Sequence, residues 1–314
     1  MDKPVLYMLC GLSGSGKSEY AKEFKKENEE LNSELNSEYR VHIFSSDDLR
    51  EELYGDTNDQ SHNNELFNEL HRRIKSCLKN GHDAIYDATN IKSKLRIAFL
   101  KELKNIPCHK VCLIIWRPYH ECILLNRGRD RIISDHVIKK QYMNWQTPWY
   151  FEGWDNIELI GDDIFSTYYW NEIYKYKNFK QHNYYHNLTL YDHLIKTGEY
   201  IRRKDDDNHN LIIAGQLHDI GKHFTKIFKN KKEQITEDAH YYQHHCVGAY
   251  DALGLYYTKS PHIDEILISA YITYHMQPYF WKDNFKNEQK YKKLWGEDFY
   301  NNILLLHEAD RMAH

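Results

Sequence analysis

Two stretches of this 314-residue chain have residue types and spacings that can do chemistry. The first is "GLSGSGKS", in which Gly11 is followed after four residues by Gly16-Lys17-Ser18. It leaves an apolar, β-rich segment and opens the helix-like "KSEYAKEFKKE", the context in which a Walker A loop forms. Glycines let backbone N–H groups approach phosphate oxygens, and a helix start adds partial positive charge. Gly11, Ser13, Gly14, Ser15 and Gly16 would form the cradle, Lys17 would reach the β and γ phosphates, and Ser18 would ligate Mg²⁺. ATP or another nucleoside triphosphate is the expected ligand. The second stretch is "AGQLHDIGK", where His218 and Asp219 stand side by side in an apolar, helix-like run. Charged side chains are rarely buried without a partner. The plain reading is a core histidine beside a helix-capping aspartate; with enough further donors, the pair becomes a metal site.

Those donors exist. "YYHNLTLYDHLIK", "HYYQHHCVGAY", "ITYHMQP" and "LLLHEADRMAH" bring His186, His244, His275 and Asp310, so that five helix-like segments contribute. Neutral imidazoles with carboxylates suit one or two divalent transition ions such as Mn, Fe, Co, Ni or Zn. One aspartate can bridge two ions, which together can position a hydroxide at phosphorus. His245, adjacent to His244, can take its place. His182, His193, His223 and His307 read as bystanders or as groups behind the ligands.

A phosphate acceptor site is expected near the first motif. "IFSSDDLR" ends a strand-like segment, and a carboxylate there faces the ligand crevice of a parallel sheet. Asp47 would take the proton of an attacking hydroxyl, and Arg50, one turn on, would meet a phosphate. The plainer reading is that Ser46 or Asp47 caps a helix. "IYDATN" places Asp87 at another strand end, and "NRGRDR" gathers Arg127, Arg129 and Arg131 in a polar loop that can close over a triphosphate.

The elements that must position these groups change character along the chain. "VLYMLCG", "RVHIFS", "DAIYDAT", "HKVCLIIW" and "NIELIG" read as short strands, separated by helix-like stretches such as "NNELFNELHRRIKSCLKNG". That alternation predicts an α/β domain with a parallel sheet and flanking helices. "ENEELNSELNSEYR" reads as a solvated helix or loop. From "STYYWNEIYKYKNF" onward the periodicity is helical, so an all-α domain is expected, with residues 1–165 forming the first domain and 166–314 the second.

Composition bounds the rest. Hydrophobic residues make up 41%, charged residues 28%, and the formal net charge is -4. A folded globular chain is expected, and any nucleic-acid contact must be local. "HRRIKSCLKN", "NRGRDR" and "KIFKNKK" can touch phosphates, and aromatics around 145–154 can stack bases. Six cysteines without a C-x-x-C pair suggest reduced thiols in a cytoplasm. The N-terminus has no signal-peptide pattern, and no apolar run is long enough for a membrane helix.

"GLSGSGKS", "SSDDLR", "DATN", the arginine loop and "EGWD" (Glu152 to Asp155), in this order over about residues 4 to 160, resemble the 5′-hydroxyl polynucleotide kinases of the phage and bacterial end-healing type. That resemblance makes Asp47 the general base, Arg50 the substrate-phosphate contact, Lys17 and Ser18 the ATP and metal contacts, and Asp87 an acidic site residue. Arg129 best matches the lid arginine, with Arg127 and Arg131 as alternatives. Residues 180 to 314 resemble the HD phosphohydrolase superfamily, with its H…HD…H…H…D signature. By that match His186, His218, Asp219 and Asp310 hold one metal, Asp219 bridges, His244 and His275 hold the second, and Lys222 meets a substrate phosphate. The whole resembles bifunctional HD-domain polynucleotide kinases, although in the arrangement associated with that family the HD domain leads, whereas here the kinase does. The implied function is healing of broken RNA or DNA ends: phosphorylation of a 5′-hydroxyl and removal of a 2′,3′-cyclic or terminal phosphate, with a separate nucleic-acid ligase to seal. Two alternatives stand beside it. One is a small-molecule (nucleoside or sugar) kinase fused to an HD nucleotide phosphohydrolase; the other is an HD fold that serves only to bind RNA.

Overall fold

The computed structural model describes residues 3–34, 40–129, 131–161, 167–182, 187–256, 264–281 and 284–313. It divides into two compact units, one comprising Met1–Ile138 and Glu152–Gly161, the other Lys139–Phe151 and Asp162–His314.

The first unit is an α/β fold. In chain order it runs β1 (Val5–Cys10), α1 (Lys17–Glu34), β2 (Val41–Ser45), α2 (Ser46–Tyr54), α3 (Asn63–Lys79), β3 (Asp83–Asp87), α4 (Ser93–Glu102), β4 (His109–Ile115), α5 (Tyr119–Arg127), α6 (Asp135–Tyr142, which continues into the segment assigned to the second unit) and β5 (Asn156–Ile160). The five strands are the five short segments read as strands, and they pair in the order β2-β3-β1-β4-β5, all parallel. Strands covered on both faces need apolar residues throughout. Leu6, Leu9, Cys10, Ile85, Leu113 and Ile114 are accordingly buried. α3 turns Leu66, Leu70, Ile74, Cys77 and Leu78 inward, a stripe at helical spacing. The loops after β1, β2 and β3 leave the same, C-terminal edge of the sheet, where ligands of such sheets bind. Of the polar insert, α1 continues to Glu34, while residues 35–39 lie outside the described ones.

The second unit is mainly helical: α7 (Tyr169–Tyr174), α8 (Leu190–Lys204), α9 (His209–Leu217), α10 (Lys222–Thr225), α11 (His244–Ala252), α12 (Glu265–Tyr274), α13 (Gln277–Trp281), α14 (Phe285–Trp295) and α15 (Glu297–Met312). It is not wholly α. β6 (Thr167–Tyr168) pairs in parallel with β9 (Leu255–Tyr256), and β7 (Lys226–Lys229) forms an antiparallel hairpin with β8 (Ile235–Tyr241). "KIFKNKK", read as a basic surface patch, is the first strand and turn of that hairpin. Its two apolar residues, Ile227 and Phe228, are adjacent and both exposed, so the segment lacks the alternation that marks a half-buried strand. α8 packs on α9 and α15, α9 on α12, and α12 on α11. α9 carries Gly215 where a Cβ would strike Ile201 of α8, and Gly198 of α8 faces Gln216, so the two helices approach closely.

The division differs from 1–165 and 166–314 chiefly at Lys139–Phe151, which belongs to the second unit. There Trp145 is fully buried against Tyr250, Thr147 shares hydrogen bonds with Ser269 and Thr273, and Phe151 packs on Tyr274 and Phe299. Trp145 and Trp154 are core, which corrects their reading as base-stacking groups, whereas Tyr150 is exposed and stays open to it. Among the described residues, no helix is long and apolar enough to cross a membrane.

Candidate functional site

The loop between β1 and α1 has the backbone its glycines allow. Gly14 and Gly16 adopt φ of 84° and 95°, in the left-handed region that side chains disfavour. A Cβ on Gly11 would strike the Ile115 carbonyl, and one on Gly14 the Cys122 carbonyl. Ser13 and Ser15 are buried in this turn, with Ser15 N–H donating to Leu12 O at 3.1 Å. The segment after β3 braces it. Gly11 N–H donates to Thr89 O at 3.1 Å, and Asn90, itself at φ 46°, donates from Nδ2 to Leu9 O at 2.9 Å.

Charge gathers at this edge. Lys17 is buried and donates to Leu12 O at 2.6 Å. Burial lowers its pKa, Asp87 opposes that, and Arg129 adds repulsion. Asp87 accepts from Ser18 Oγ at 2.7 Å, and burial raises its pKa against the pull of Lys17 and Ser18. A desolvated carboxylate beside a serine hydroxyl at the start of the loop helix is the donor pair that holds Mg²⁺ in P-loop enzymes, so these residues fit that ion. Asp47 lies in the first turn of α2, but it does not cap the helix. Ser45 does, accepting from Asp47 N–H and Asp48 N–H at 3.2 Å each. The Asp47 carboxylate is thereby left to Arg50 (3.0 Å) and Arg131 (2.5 Å). Arg50 is buried and also donates to Asn63.

The three loop arginines separate by partner. Arg127 is exposed and pairs with Asp135 at 2.6 Å, Arg131 reaches Asp47, and Arg129 bears on Lys17. Asn126, which residue types alone did not single out, is fully buried and pins this loop. Its Nδ2 donates to Ile133 O at 2.6 Å, and its Oδ1 accepts from Ile133 N–H at 3.0 Å. "EGWD" is explained by structure rather than by substrate. Glu152 forms a fully buried bidentate pair with Arg96 (2.7 and 2.6 Å) and accepts from Trp154 Nε1. The "HRRIKSCLKN" arginines are neutralised in place, Arg72 by Glu69 and Arg73 by Glu69 and Glu52.

In the second unit two donor groups share Asp219. His193 Nε2 stands 3.2 Å from His218 Nε2, 3.3 Å from Asp219 Oδ2 and 3.2 Å from Asp310 Oδ1; His218 Nε2 is 3.4 Å from each of those oxygens. On the other side, His244 Nε2 is 3.0 Å from Asp219 Oδ1 and 3.3 Å from His275 Nε2. All these side chains are buried. Each imidazole is oriented by a backbone carbonyl at Nδ1: His193 by Ala313, His218 by Gly215, His244 by Tyr241 and His275 by Ile272, at 2.8–3.1 Å. A proton on each Nδ1 leaves every Nε2 as a bare lone pair. Two such lone pairs cannot hydrogen-bond to each other, yet they face one another at 3.2 and 3.3 Å. A cation between them removes the conflict. Zn–N bonds of ~2.0–2.1 Å put neighbouring ligand atoms roughly 3–3.4 Å apart, as found here. The donor set therefore fits one or two divalent ions.

Local structure builds this cage. His218 and His275 directly follow the last turns of α9 and α12 and donate to carbonyls left unpaired there. The His218-Asp219 doublet thus sits in the turn that ends α9, not inside the helix as its apolar setting suggested. Gly221 lets that turn meet α11, since a Cβ would collide with the His244 carbonyl. Burial disfavours charge on His218, but Asp219 and Asp310 outweigh it and lift its pKa to about 10, so with no ion bound a proton on Nε2 takes the cation's place; burial and the neighbouring His218 and His244 hold His275 well below its usual range. Lys222 is buried, 2.5 Å from Asp219 and 2.8 Å from Gln181 Oε1.

The candidates sort as follows. His218, Asp219, His244, His275 and Asp310 converge, and His244, not His245, faces Asp219. His193, read as a bystander, is in the cage; it lies in the same stretch as His186, and its spacing with Leu190, Leu194, Thr197 and Ile201 on the buried face of α8 was the signal that could have found it. His186 lies outside the described residues. His182, His223 and His307 stand in other contacts, with Lys226, Tyr176 and Tyr279 respectively. Tyr279, also missed, donates to Asp310 Oδ2 at 3.0 Å.

Residues 6–148 match a family model described as an AAA domain. A search of curated proteins finds no match. Solved structures similar to this chain include Kti12 of Chaetomium thermophilum in complex with ADP-AlF3 (20% identity, 50% of this chain and 90% of that chain, TM-score 0.42). They also include a chain of the Pnkp1/Rnl/Hen1 complex (21% identity, 43% and 41%, TM-score 0.33), of whose length this chain spans less than half. The APS kinase CysC of Mycobacterium tuberculosis with AMPPNP and APS is a third (18% identity, 51% and 90%, TM-score 0.36). With its parallel sheet and its glycine loop between β1 and α1, the first unit is a P-loop, kinase-like α/β fold.

Proposed function

We propose that the chain heals nucleic-acid ends, with a 5′-hydroxyl kinase in its first unit and an HD-type metal phosphoesterase in its second. The reading rests above all on the four imidazole Nε2 atoms that converge around Asp219 and Asp310.

In the kinase, the loop N–H groups and Lys17 grip the triphosphate, while Ser18 and Asp87 would hold Mg²⁺. Asp47 accepts the proton of the attacking hydroxyl, and Arg50 anchors the acceptor's phosphate. Arg131 occupies Asp47 in this structure and must yield to the acceptor. Arg129, whose charge bears on Lys17, supports charge on the transferring group. In the phosphoesterase, His193, His218, Asp219 and Asp310 would hold one ion, and Asp219, His244 and His275 a second. Bound there, divalent ions supply a nucleophilic hydroxide and neutralise charge at phosphorus. Lys222 offers a cation to a phosphate oxygen beside Asp219. RNA or DNA ends are the substrates, and a separate ligase completes the repair.

The test is one incubation. RNA with a 5′-hydroxyl and a 2′,3′-cyclic phosphate, given ATP, Mg²⁺ and Mn²⁺, should acquire a 5′-phosphate and lose its 3′-terminal phosphate. Phosphorylation of free nucleosides or sugars in preference to RNA would replace this reading with the small-molecule kinase. Fewer than one tightly held transition ion per chain would reduce the second unit to a binding module.

A further inference from the structure

Beside the metal-binding cluster the second unit has a cleft of about 710 Å³, a size that takes a nucleotide. Its walls come from α13, the start of α14 and one face of α15. They present Tyr279, Trp281, Phe285 and His307, with Asn284, Glu288 and Arg311 as polar groups, Glu288 being held by the Tyr300 hydroxyl. Phe285 is 73% exposed, although it gains nothing from water there. Trp281 is buried, and its indole N–H has no hydrogen-bond partner among the described residues. An aromatic wall with few polar groups suits a flat heterocycle with donors and acceptors on its edge.

The cleft is tied to the metal cluster through shared residues. Tyr279 forms part of its wall and donates its hydroxyl to Asp310 Oδ2 at 3.0 Å, while Asp310 Oδ1 faces His193 and His218. His307 and Arg311, both lining the cleft, flank Asp310 on α15, and His307 meets the Tyr279 ring edge-on at 4.4 Å. We propose that this cleft is a nucleobase subsite, holding by stacking the base of the nucleotide whose phosphate reaches the Asp219–Asp310 cluster. The proposal rests on the phosphoesterase reading for the role of that phosphate. It adds a specificity determinant, since a site with this subsite prefers nucleotides to simple phosphate esters.

The test uses the full-length Lys17→Ala chain, which silences the other nucleotide site, loaded with Mn²⁺. Titration calorimetry compares a nucleoside 3′-monophosphate with ribose phosphate lacking a base. The nucleotide should bind at least roughly tenfold tighter, the scale of one stacking contact. Phe285→Ala, an exposed position that folding tolerates, should erase most of that preference while leaving ribose-phosphate affinity and bound manganese unchanged. Equal affinity for the two ligands, or a preference that survives Phe285→Ala, overturns the subsite. A Phe285-dependent base preference without any phosphate release upholds the subsite and instead overturns the phosphoesterase reading.

Discussion

In the proposed function the phosphate loop and the histidine–aspartate cage both handle phosphate, and they are built from opposite materials. The loop is backbone. Its donors are successive N–H groups, its shape comes from Gly14 and Gly16 at positive φ, and it occupies one contiguous run, Gly11 to Ser18. The cage is side chain. Its described donors come from α8, the turn after α9, α11, the turn after α12, and α15, and they meet only because those elements pack together. A loop of the first kind tolerates a poor resemblance elsewhere in the chain. A cage of the second kind is as good as its least well placed helix.

The largest expected effects separate the two devices outright. Lys17→Ala should lower 5′-phosphorylation by on the order of 10²–10³-fold or more and spare phosphate removal. Asp219→Ala should do the reverse, with metal lost as well. Silencing of both activities by either change in a folded protein breaks the comparison. Next comes the arginine loop. Arg129→Ala should cost the kinase roughly 10²-fold in kcat, whereas Arg127→Ala, already paired with Asp135, should change it only a few-fold. Equal losses in kinase rates would show that the loop neutralises charge collectively.

His193→Ala should lower metal affinity by at least roughly 10- to 100-fold, read by metal analysis after dialysis. If His186→Ala empties the site and His193→Ala leaves it filled, the cage has been assigned the wrong first histidine. The smallest effect concerns stability. Burial lifts the Asp251 carboxyl to about 7, against the hydrogen bond it accepts from Tyr142 at 2.5 Å. A carboxyl raised in the folded state favours folding through its neutral form. That contribution is whole below the unfolded value near 3.8 and is lost as pH rises through about 7. Asp251→Asn should therefore flatten the fall in stability between pH 5 and 8, a difference of at most about 3 kcal/mol. An unchanged slope would place the ionisation elsewhere.

The order of short apolar segments was enough to read the five strands, because a strand buried on both faces must be apolar along its whole length. The cradle from Gly11 to Ser18 was equally legible, since its function depends on φ angles that glycine alone adopts easily, and on neighbours in sequence. The β7–β8 hairpin was not, because its strands are largely exposed and carry no alternation of apolar and polar residues. Glu152 was noticed for its motif, but its partner Arg96 lies 56 positions away, and nothing local in the sequence says the two are paired.

For the cage, residue types determined that His218, Asp219, His244, His275 and Asp310 were available and that an ion would suit them. The choice of His193 over the other histidines was decided only by tertiary structure. Coordination requires donor atoms within ~2 Å of one point, and that point is set by how α8 packs on α9 and α15, not by any spacing along the chain.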